Sequence, residues 1–319
     1  ACIVQNNELS PEKSILVNNG IIQQITNDQQ IILEKKESHQ KINTLNAKNY
    51  FLTPGLIDNH VHLILNGKKN IIKYVNTSSI KKFRKQAENH IIKSLSNGIT
   101  TLRDMGDTAG ILADIKQHQK TIPSPRPHLI SSGQMLTATK EHIKKIAKQL
   151  TTNTKKIHAT VDEQIIQQAD FIKLIISGGL LTPGSSPLDS ELSHPIINQV
   201  CKRAKQKNVP IAAHAYSNQD VLSAINAGVT TIEHGIWAKP ETLNYASKNN
   251  ILFTPTIKAA YDILNHKDLL PTYMVKNAEM VISKASSFIK NAKEQHTLLA
   301  MGTDAGTPFN YHGDNAKEL

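Results

Sequence analysis

The stretch VPIAAHAYSNQDVLSAINAGVTTIEHG, residues 209–235, contains the repeating unit that decides the fold. Two short apolar runs, each carrying a histidine near its end, flank a segment with helical character. Ser217 followed by Asp220 predicts a capping box at the start of this helix, and Gly228 predicts its end. A strand–helix–strand unit of this length predicts two parallel strands joined by a crossover helix.

The same alternation of helical and strand-like segments runs from residue 51 to the end of the sequence. The helical segments are followed by the strand candidates ITTLRD, VPIAAHA, VTTIEH, ILFTPT and LLAMGTDAG. Some eight strand candidates can be counted from LTPGLID onward, which predicts an α/β fold of the (β/α)₈ TIM-barrel type. An open doubly wound sheet is the alternative, but no GxGxxG turn follows any strand.

The first fifty residues have a different pattern. SILVNNGIIQQI, residues 14–25, reads as two short strands around an Asn-Asn-Gly turn, which predicts a β-hairpin. The sequence therefore predicts a small N-terminal β subdomain over residues 1–50 and a barrel over residues 51–319.

The composition is that of an ordinary soluble globular protein: of 319 residues, 39% are apolar and 20% are charged. No apolar run reaches the roughly 18 to 20 residues of a membrane span, so we expect no membrane partner. The net charge of +11 comes from scattered lysines, and aromatic residues are only 4%, so we expect no nucleic acid partner. Two cysteines exclude a disulfide framework, and the compartment is left open.

A lysine interrupts one of the most apolar strand candidates. In DFIKLIISGG, residues 170–179, Lys173 lies among β-branched and aromatic residues that predict a strand buried on both faces. An unpaired ammonium is poorly tolerated in such a place. Either the lysine extends to the rim of the barrel, or it has a chemical function.

Metal-ligating residue types recur at the ends of the strand candidates. Taken singly, each histidine could be a core residue and the aspartate a turn residue. The C-terminal ends of barrel strands meet at one mouth, however, so we expect these side chains to converge. They are His60, His62, His214, His234 and Asp304.

Four imidazoles and a carboxylate suit a divalent ion such as Zn²⁺, and they are more ligands than one catalytic zinc ion uses. Two ions would use them all if a further group bridged the pair. A lysine carboxylated by CO₂ carries negative charge and two oxygens, and burial favours the neutral amine that forms it. The sequence thus predicts two divalent metal ions, with zinc as the expected metal, bridged by a carbamate on Lys173.

Seven phrases of the sequence, in order, resemble the amidohydrolase superfamily, and especially its imidazolonepropionase-like branch with metal-dependent Xaa-Pro dipeptidases. The phrases extend over nearly the whole chain. They are PGLIDNHVHL, NGITTLRDMG, FIKLIISGG, AAHAYS, AINAGVTTIEHG, FTPT and MGTDAGT.

The resemblance implies a role for each residue of the predicted site. His60 and His62 would bind one ion together with Asp304, and His214 and His234 would bind the second. A water bridging the ions would be the nucleophile, and Asp304 would take its proton and pass it to the leaving amine. Tyr216 matches a tyrosine that assists the developing oxyanion in the dipeptidase-like members.

The sequence also departs from the family. Members of this branch often carry Gly-Gly-His after the third strand, whereas residues 136–142 read LTATKEH, with His142 as the candidate substitute. The family continues beyond the segment that ends here at HGDNAKEL, so we expect a C-terminally incomplete barrel. Such a barrel would expose apolar surface, which favours a homo-oligomer.

The predicted function is metal-dependent hydrolysis of an amide bond, narrowed by the resemblance to the peptide bond of an Xaa-Pro dipeptide. One alternative is a cyclic-amide hydrolase or deaminase on the same barrel, because the substrate specificity of such barrels lies in the loops. Another is a truncated, non-catalytic barrel. A dipeptide or other small molecule is the expected partner. Arg103 and Lys258 are candidates for a substrate carboxylate, and Arg103 is otherwise expected to pair with Asp104 or a neighbouring strand end.

Overall fold

The computed structural model of the chain describes residues 2–5, 8–27, 43–108, 110–119, 121, 125–138 and 145–319. Contacts divide the chain into two compact units, residues 1–55 and 56–319. His142 lies outside the described residues, so its expected role stays a prediction. Among the described helices, none has the length and apolar character needed to cross a bilayer.

The first unit consists of short strands. β1 (Cys2–Gln5) pairs with β2 (Glu8–Glu12) and with β5 (Phe51–Leu52). β3 (Ser14–Asn18) and β4 (Ile21–Thr26) pair antiparallel, as the predicted hairpin requires. The turn between them has φ of 50° at Asn19 and 76° at Gly20, two left-handed residues that match the twist of a tight hairpin.

The second unit alternates strands and helices. Its strands are β6 (Leu56–Val61), β7 (Ile99–Asp104), β8 (His128–Ser131), β9 (Met135–Thr137), β10 (Ala147–Gln149), β11 (Ile172–Ile175), β12 (Ile211–Ala215), β13 (Thr231–His234), β14 (Leu252–Thr254) and β15 (Leu298–Leu299). Its helices are α1 (Ile71–Thr77), α2 (Ile80–Leu95), α3 (Ile111–Gln119), α4 (Thr154–Ile166), α5 (His194–Gln206), α6 (Asn218–Ala227), α7 (Pro240–Lys248), α8 (Ile257–Asn265) and α9 (Thr272–Glu294), with 3₁₀ turns at Lys267–Leu269 and Asn315–Glu318.

All strand pairs of this unit that the structure describes are parallel, and they form two sheets. One has the order β6-β7-β8 and the other the order β10-β9-β11-β12-β13-β14-β15. The predicted parallel α/β alternation is therefore confirmed. The prediction of one closed sheet is met only in part, because the two sheets do not share a continuous hydrogen-bonded ladder.

Backbone hydrogen bonds nevertheless connect the two sheets. On one side Asn59 N donates to Met301 O at 3.0 Å and Asp304 N donates to His60 O at 2.7 Å. On the other side Asp170 N donates to Ser131 O at 2.8 Å. These bonds fix the segment that carries Asp304 beside β6. Asp304 itself lies five residues beyond β15 and is not part of a strand, contrary to the expectation for LLAMGTDAG.

The predicted start and end of α6 are confirmed, but the capping box is present only in part, because the described hydrogen bonds of the Asp220 carboxylate come from the Ser217 and Ser190 hydroxyls and not from Ser217 N. Ser217 Oγ accepts a hydrogen bond from Asp220 N at 3.1 Å, so it caps α6. Gly228 ends the helix with φ of 96°, a conformation that costs glycine little. The apolar face of α6, with Val221 and Ala224 fully buried, packs into the core between helices and strands.

Alternation along β11 separates the core from the interior of the unit. Ile172 and Leu174 are fully buried in the apolar core on one face. Lys173 and Ile175 point to the opposite face and line the central cavity. A one-residue shift in register would place the lysine among the aliphatic residues, so the pairing of β11 with β12 positions the chemistry as well as the core.

Asp107, four residues before the start of helix α3, is a buried carboxylate without full pairing. Asp107 Oδ2 accepts from Leu112 N at 2.7 Å, while Oδ1 has no hydrogen-bond partner in the described part of the chain. Burial, together with the nearby Asp104 carboxylate, raises the pKa of Asp107 to about 7. Its ionisation therefore opposes folding.

Asp107 has a higher pKa in the folded state than in the unfolded state, so its protonated form stabilises the fold. This contribution is complete below the unfolded-state pKa of about 4 and is lost as the pH rises through about 7. We expect Asp107→Asn, which keeps the capping oxygen, to be more stable than the wild type at pH 8 and to lose this advantage toward pH 4. The difference should change by up to about 1.4 kcal/mol per pH unit. Thermal unfolding at several pH values measures it, with the exposed Asp268→Asn as control. A pH-independent difference would contradict the assignment.

Candidate metal centre

One cavity of the second unit contains all seven residues of the predicted site. These are His60, His62, Lys173, His214, Tyr216, His234 and Asp304. Strand ends and the loops that follow them bring these residues together from positions up to 244 residues apart in the sequence. Their convergence is a finding of the structure, whereas their roles as ligands stay predictions.

The first group of candidate ligands is formed by His60, His62 and Asp304. Their ligand atoms all lie within 4.8 Å of one another. Asp304 Oδ1 lies 3.5 Å from His60 Nε2 and 3.2 Å from His62 Nε2, without hydrogen-bond alignment in either case. Asp304 has φ of 58°, an uncommon value for a residue with a side chain, and the bond from its N–H to His60 O holds this conformation.

The second group is the pair His214 and His234, whose hydrogen bonds fix both tautomers. His214 Nε2 lies 3.0 Å from Gly178 O, which can only accept, so Nε2 carries the proton. His234 Nδ1 lies 2.6 Å from Thr256 Oγ1, which donates to Pro255 O and therefore accepts from the ring. The unprotonated atoms that remain, His214 Nδ1 and His234 Nε2, face each other at 2.9 Å. Two facing lone pairs are what a bound cation would satisfy.

Both imidazoles are held in the neutral form that binds metal. Burial, with Lys173 as the next contribution, lowers the pKa of His214 to about 3. Burial and the neighbouring His214 likewise hold the pKa of His234 well below its usual value. Ligand histidines must be neutral, so the protein environment favours the binding state at every ordinary pH.

Lys173 lies at the floor of the cavity, 1% exposed, and the alternative that it reaches the solvent is wrong. Its Nζ has no hydrogen-bond partner among the described residues, and burial lowers the pKa of the amine to about 8. His62 Nδ1 and Asp304 Oδ1 are also buried without partners. Nitrogen and oxygen atoms left unsatisfied on residues that line one cavity fit divalent metal ions of the zinc type.

Residues 51–317 match the amidohydrolase family, which is most of the chain. This chain belongs to the amidohydrolase family. An uncharacterized protein of Mycobacterium tuberculosis is 24% identical over 274 residues, 84% of this chain and 68% of that protein. Ochratoxinase of Aspergillus niger is 21% identical over 247 residues, 66% of this chain and 49% of the relative.

Solved structures agree with this family assignment. A Xaa-Pro dipeptidase with bound methionine in its active site has a TM-score of 0.78 at 20% identity, covering 99% of this chain and 80% of that one. The A. niger ochratoxinase structure has a TM-score of 0.80 at 18% identity, covering 97% and 76%. Such likeness establishes the fold, an α/β fold of the TIM-barrel type. The amidohydrolase is thus a hydrolase of a class that typically uses divalent metal ions.

Sequence reasoning missed one buried acid of the amidohydrolase site, Glu233. It is fully buried and its oxygens meet His60 Nδ1 at 2.9 Å, Arg103 Nη1 at 3.0 Å and Thr231 Oγ1 at 2.8 Å. Burial opposes its ionisation, but the Arg103 guanidinium and His60 hold the pKa of Glu233 below its usual value. Glu233 could have been found by the criterion that singled out Lys173, since each is a charged residue within a short buried strand.

Alternation along β13 would send Glu233 and His234 to opposite faces. His234 has φ of 71°, however, and this left-handed residue turns the histidine back toward the cavity. Thr256, whose hydroxyl orients His234, also has a positive φ of 53°. Strained conformations at residues that carry or orient site groups are typical of functional sites.

The expected binding of a substrate carboxylate by Arg103 or Lys258 is not met. Of the two alternatives for Arg103, the pairing with Asp104 is wrong, because the Asp104 oxygens accept from Leu63 N and Gly106 N, whereas Arg103 does pair near a strand end, with Glu233 of β13. Lys258 binds Asp262 and Asn310. Both cations are buried in internal pairs, so neither is available to bind a substrate carboxylate.

Tyr216 forms part of the wall beside the second histidine pair. Its ring stacks on His234, with centroids 4.5 Å apart and planes 7° apart, and meets His214 edge-on at 5.2 Å. Burial, and then the Asp304 carboxylate, raise the pKa of the Tyr216 hydroxyl well above its usual value. The phenol is therefore a neutral hydrogen-bond donor at ordinary pH.

The rest of the cavity wall is mostly apolar. The aliphatic and thioether side chains come from the loop after β6, α1, the β9 and β10 region, β11 and the loop after it, and α8. They are Leu65, Ile71, Ile72, Met135, Ile146, Ile175, Leu180, Leu181, Ala259 and Ile263. The Glu191 carboxylate and the hydroxyls of Thr137, Ser177, Thr182 and Thr307 also line the cavity, so its wall offers a substrate both a large apolar area and polar groups.

Proposed function

We propose that this amidohydrolase hydrolyses amide bonds with a pair of divalent metal ions, and that its substrates are dipeptides of the Xaa-Pro type. The observation that carries the proposal is a set of nitrogen and oxygen atoms on residues that line one cavity. They are the facing nitrogens of His214 and His234, and the atoms of His62, Lys173 and Asp304 that have no hydrogen-bond partner among the described residues. The likeness to a structure named as a Xaa-Pro dipeptidase supports the substrate class.

In this proposal His60, His62 and Asp304 hold one ion and His214 and His234 hold the other. A carbamate on Lys173, formed from the neutral amine and CO₂ with release of a proton, would supply an anionic ligand, which the free amine cannot. When bound, zinc ions supply Lewis-acid polarisation of a carbonyl and lower the pKa of a water molecule. The (β/α)₈ barrel is part of the proposal, with the bonds between Asp304 N and His60 O and between Asp170 N and Ser131 O as the places where the two sheets join.

The chain's own residues would handle the proton and the substrate. Asp304 Oδ1 has no hydrogen-bond partner among the described residues, so it can accept a proton and return it to the leaving nitrogen. Tyr216 is a neutral donor in the cavity wall, placed to stabilise negative charge on the carbonyl oxygen. The apolar part of the wall favours dipeptides whose first residue is large and aliphatic, because binding there removes the apolar surface of that side chain from water.

Metal removal tests this function directly. We expect about two zinc ions per chain after purification in bicarbonate-containing buffer, and hydrolysis of Leu-Pro or Met-Pro that chelation abolishes and zinc restores. The metal-loaded chain should also melt at a higher temperature than the chelated chain, because ligands that bind only the folded state stabilise it. Elemental analysis, a proline-release assay and thermal unfolding measure the three effects.

The other outcomes identify the alternatives. One ion per chain, with no dipeptide cleaved, would favour a cyclic-amide hydrolase or deaminase, and a screen of lactams and aminated heterocycles would then find turnover. A folded chain that binds no metal and cleaves no amide would contradict the proposal and favour a non-catalytic barrel. Gly-Pro and a non-proline dipeptide such as Leu-Ala are the matched controls for the apolar residue and for proline.

A further inference from the structure

Arg103 and Glu233 form a chain of contacts that ends on His60. Arg103 Nη1 donates to Glu233 Oε1 at 3.0 Å, and the other carboxylate oxygen, Oε2, meets His60 Nδ1 at 2.9 Å. Arg103 Nη2 donates to Thr231 Oγ1 at 3.0 Å, and the guanidinium lies 4.2 Å from the centre of the Phe171 ring. Both oxygens of Glu233 are thus used, and each has a fixed partner.

We propose that Arg103 and Glu233 are positioning residues that set the metal affinity of the centre through His60. Glu233 can only accept, so His60 Nδ1 carries the proton and Nε2 turns its lone pair toward Asp304. A carboxylate behind a ligand histidine fixes both its tautomer and its ring orientation. This inference rests on the metal centre of the proposed function. It adds two residues that are not among the described lining residues of the cavity.

A purely structural role for this pair is the competing explanation. A buried ion pair is weak evidence for stability, because well-packed apolar residues of similar volume often replace one without loss. The geometry favours positioning, since one oxygen of Glu233 accepts from the Arg103 guanidinium and the other accepts from the His60 imidazole. Arg103 fixes the carboxylate from the far side and is itself held by Thr231 and Phe171.

The first test is zinc affinity, measured by competition with a chromophoric chelator. We expect Glu233→Gln to weaken Zn²⁺ binding about 10- to 100-fold, the usual effect of losing a group behind a metal ligand. Glu163→Gln is the matched control, because it makes the same substitution at an exposed carboxylate whose partners in the described part of the chain are Lys148 and Gln167. Its zinc affinity should equal that of the wild type.

A double variant separates positioning from stability. Arg103→Met and Glu233→Met singly leave a buried charge unpaired and should lower the melting temperature. Together they should recover much of that loss, because the pair is replaced by apolar volume. We expect zinc affinity to stay weakened in the double variant, since His60 has lost its acceptor. Recovery of both properties would show a structural pair and overturn the proposal.

The outcomes for the positioning role of Arg103 and Glu233 and for the metal centre are distinct. If Glu233→Gln had the zinc affinity of the wild type, the positioning role would be overturned and the metal centre would stand. If the wild-type chain bound no zinc, the metal centre would be overturned, and the positioning role with it. Because zinc binding is read without substrate, neither result depends on the identity of the dipeptide.

Discussion

Asp304→Asn is expected to lower kcat by about 10² to 10⁴-fold, the range for loss of a positioned general base. Asparagine has the same shape, and the bonds from Asp304 N to His60 O and from Thr307 to Asp304 O use backbone atoms that the change keeps. The fold and the φ of 58° should therefore persist. A proline-release assay under substrate saturation measures the effect.

The size of this effect follows from the position of the carboxylate. Asp304 Oδ1 is buried between His60 and His62 without a hydrogen bond of its own. Burial favours the neutral acid, but His60 and His62 oppose it and hold the pKa of Asp304 below its usual value. An ionised, unshared oxygen beside the reacting groups is available as a base, and an amide in its place cannot accept a proton.

Metal content and a control variant give this prediction its specificity. Asp304→Asn should retain at least one zinc ion, because four histidines are unchanged. Asp268→Asn, an exposed aspartate in a 3₁₀ turn, should leave both kcat and metal content unaltered. If Asp304→Asn kept full activity, Asp304 would not be the base, and a different acceptor in the cavity would have to be sought.

Local features of the sequence predicted the fold well because their causes are local. The Asn19-Gly20 turn and the caps at Ser217 and Gly228 depend on a few neighbouring residues, and the structure has them as predicted. The convergence of the histidines also follows from a simple rule, since parallel strands place their carboxyl ends together.

The features that were missed depend on distant pairings. Arg103 and Glu233 are 130 residues apart, and nothing near either one indicates its partner. Asp104 was the wrong partner for Arg103 because adjacent strand residues point to opposite faces. Asp304 was predicted to enter the cavity from the end of a strand, whereas it enters from a loop that distant backbone bonds hold beside β6.

Lys173 gives the second large effect, and stability and activity should change in opposite directions. Lys173→Met replaces a fully buried amine that has no hydrogen-bond partner among the described residues with an apolar side chain of similar length. Without metal, we expect the variant to be more stable than the wild type by about 1–3 kcal/mol, the cost of an unsatisfied buried polar group. Chemical unfolding of both chelated proteins measures the difference.

The same change should reduce the metal content from two ions per chain toward one and lower kcat/KM by more than about 100-fold, the scale of losing an electrostatic stabiliser. Lys258→Met is the matched control, because this buried lysine is paired with Asp262 and Asn310. It should lose stability and keep its metal. If Lys173 only filled space, Lys173→Met would show neither the gain in stability nor the loss of metal and activity.

Chemical rescue decides whether the lysine acts as its carbamate. Lys173→Ala leaves room for a short carboxylate, so propionate added with zinc should restore part of the second ion and part of the activity. A short amine such as propylamine should restore less when bicarbonate is excluded, because it supplies no anionic oxygens. Equal rescue by the amine without bicarbonate would contradict the carbamate, since a bridging group between two cations must carry negative charge.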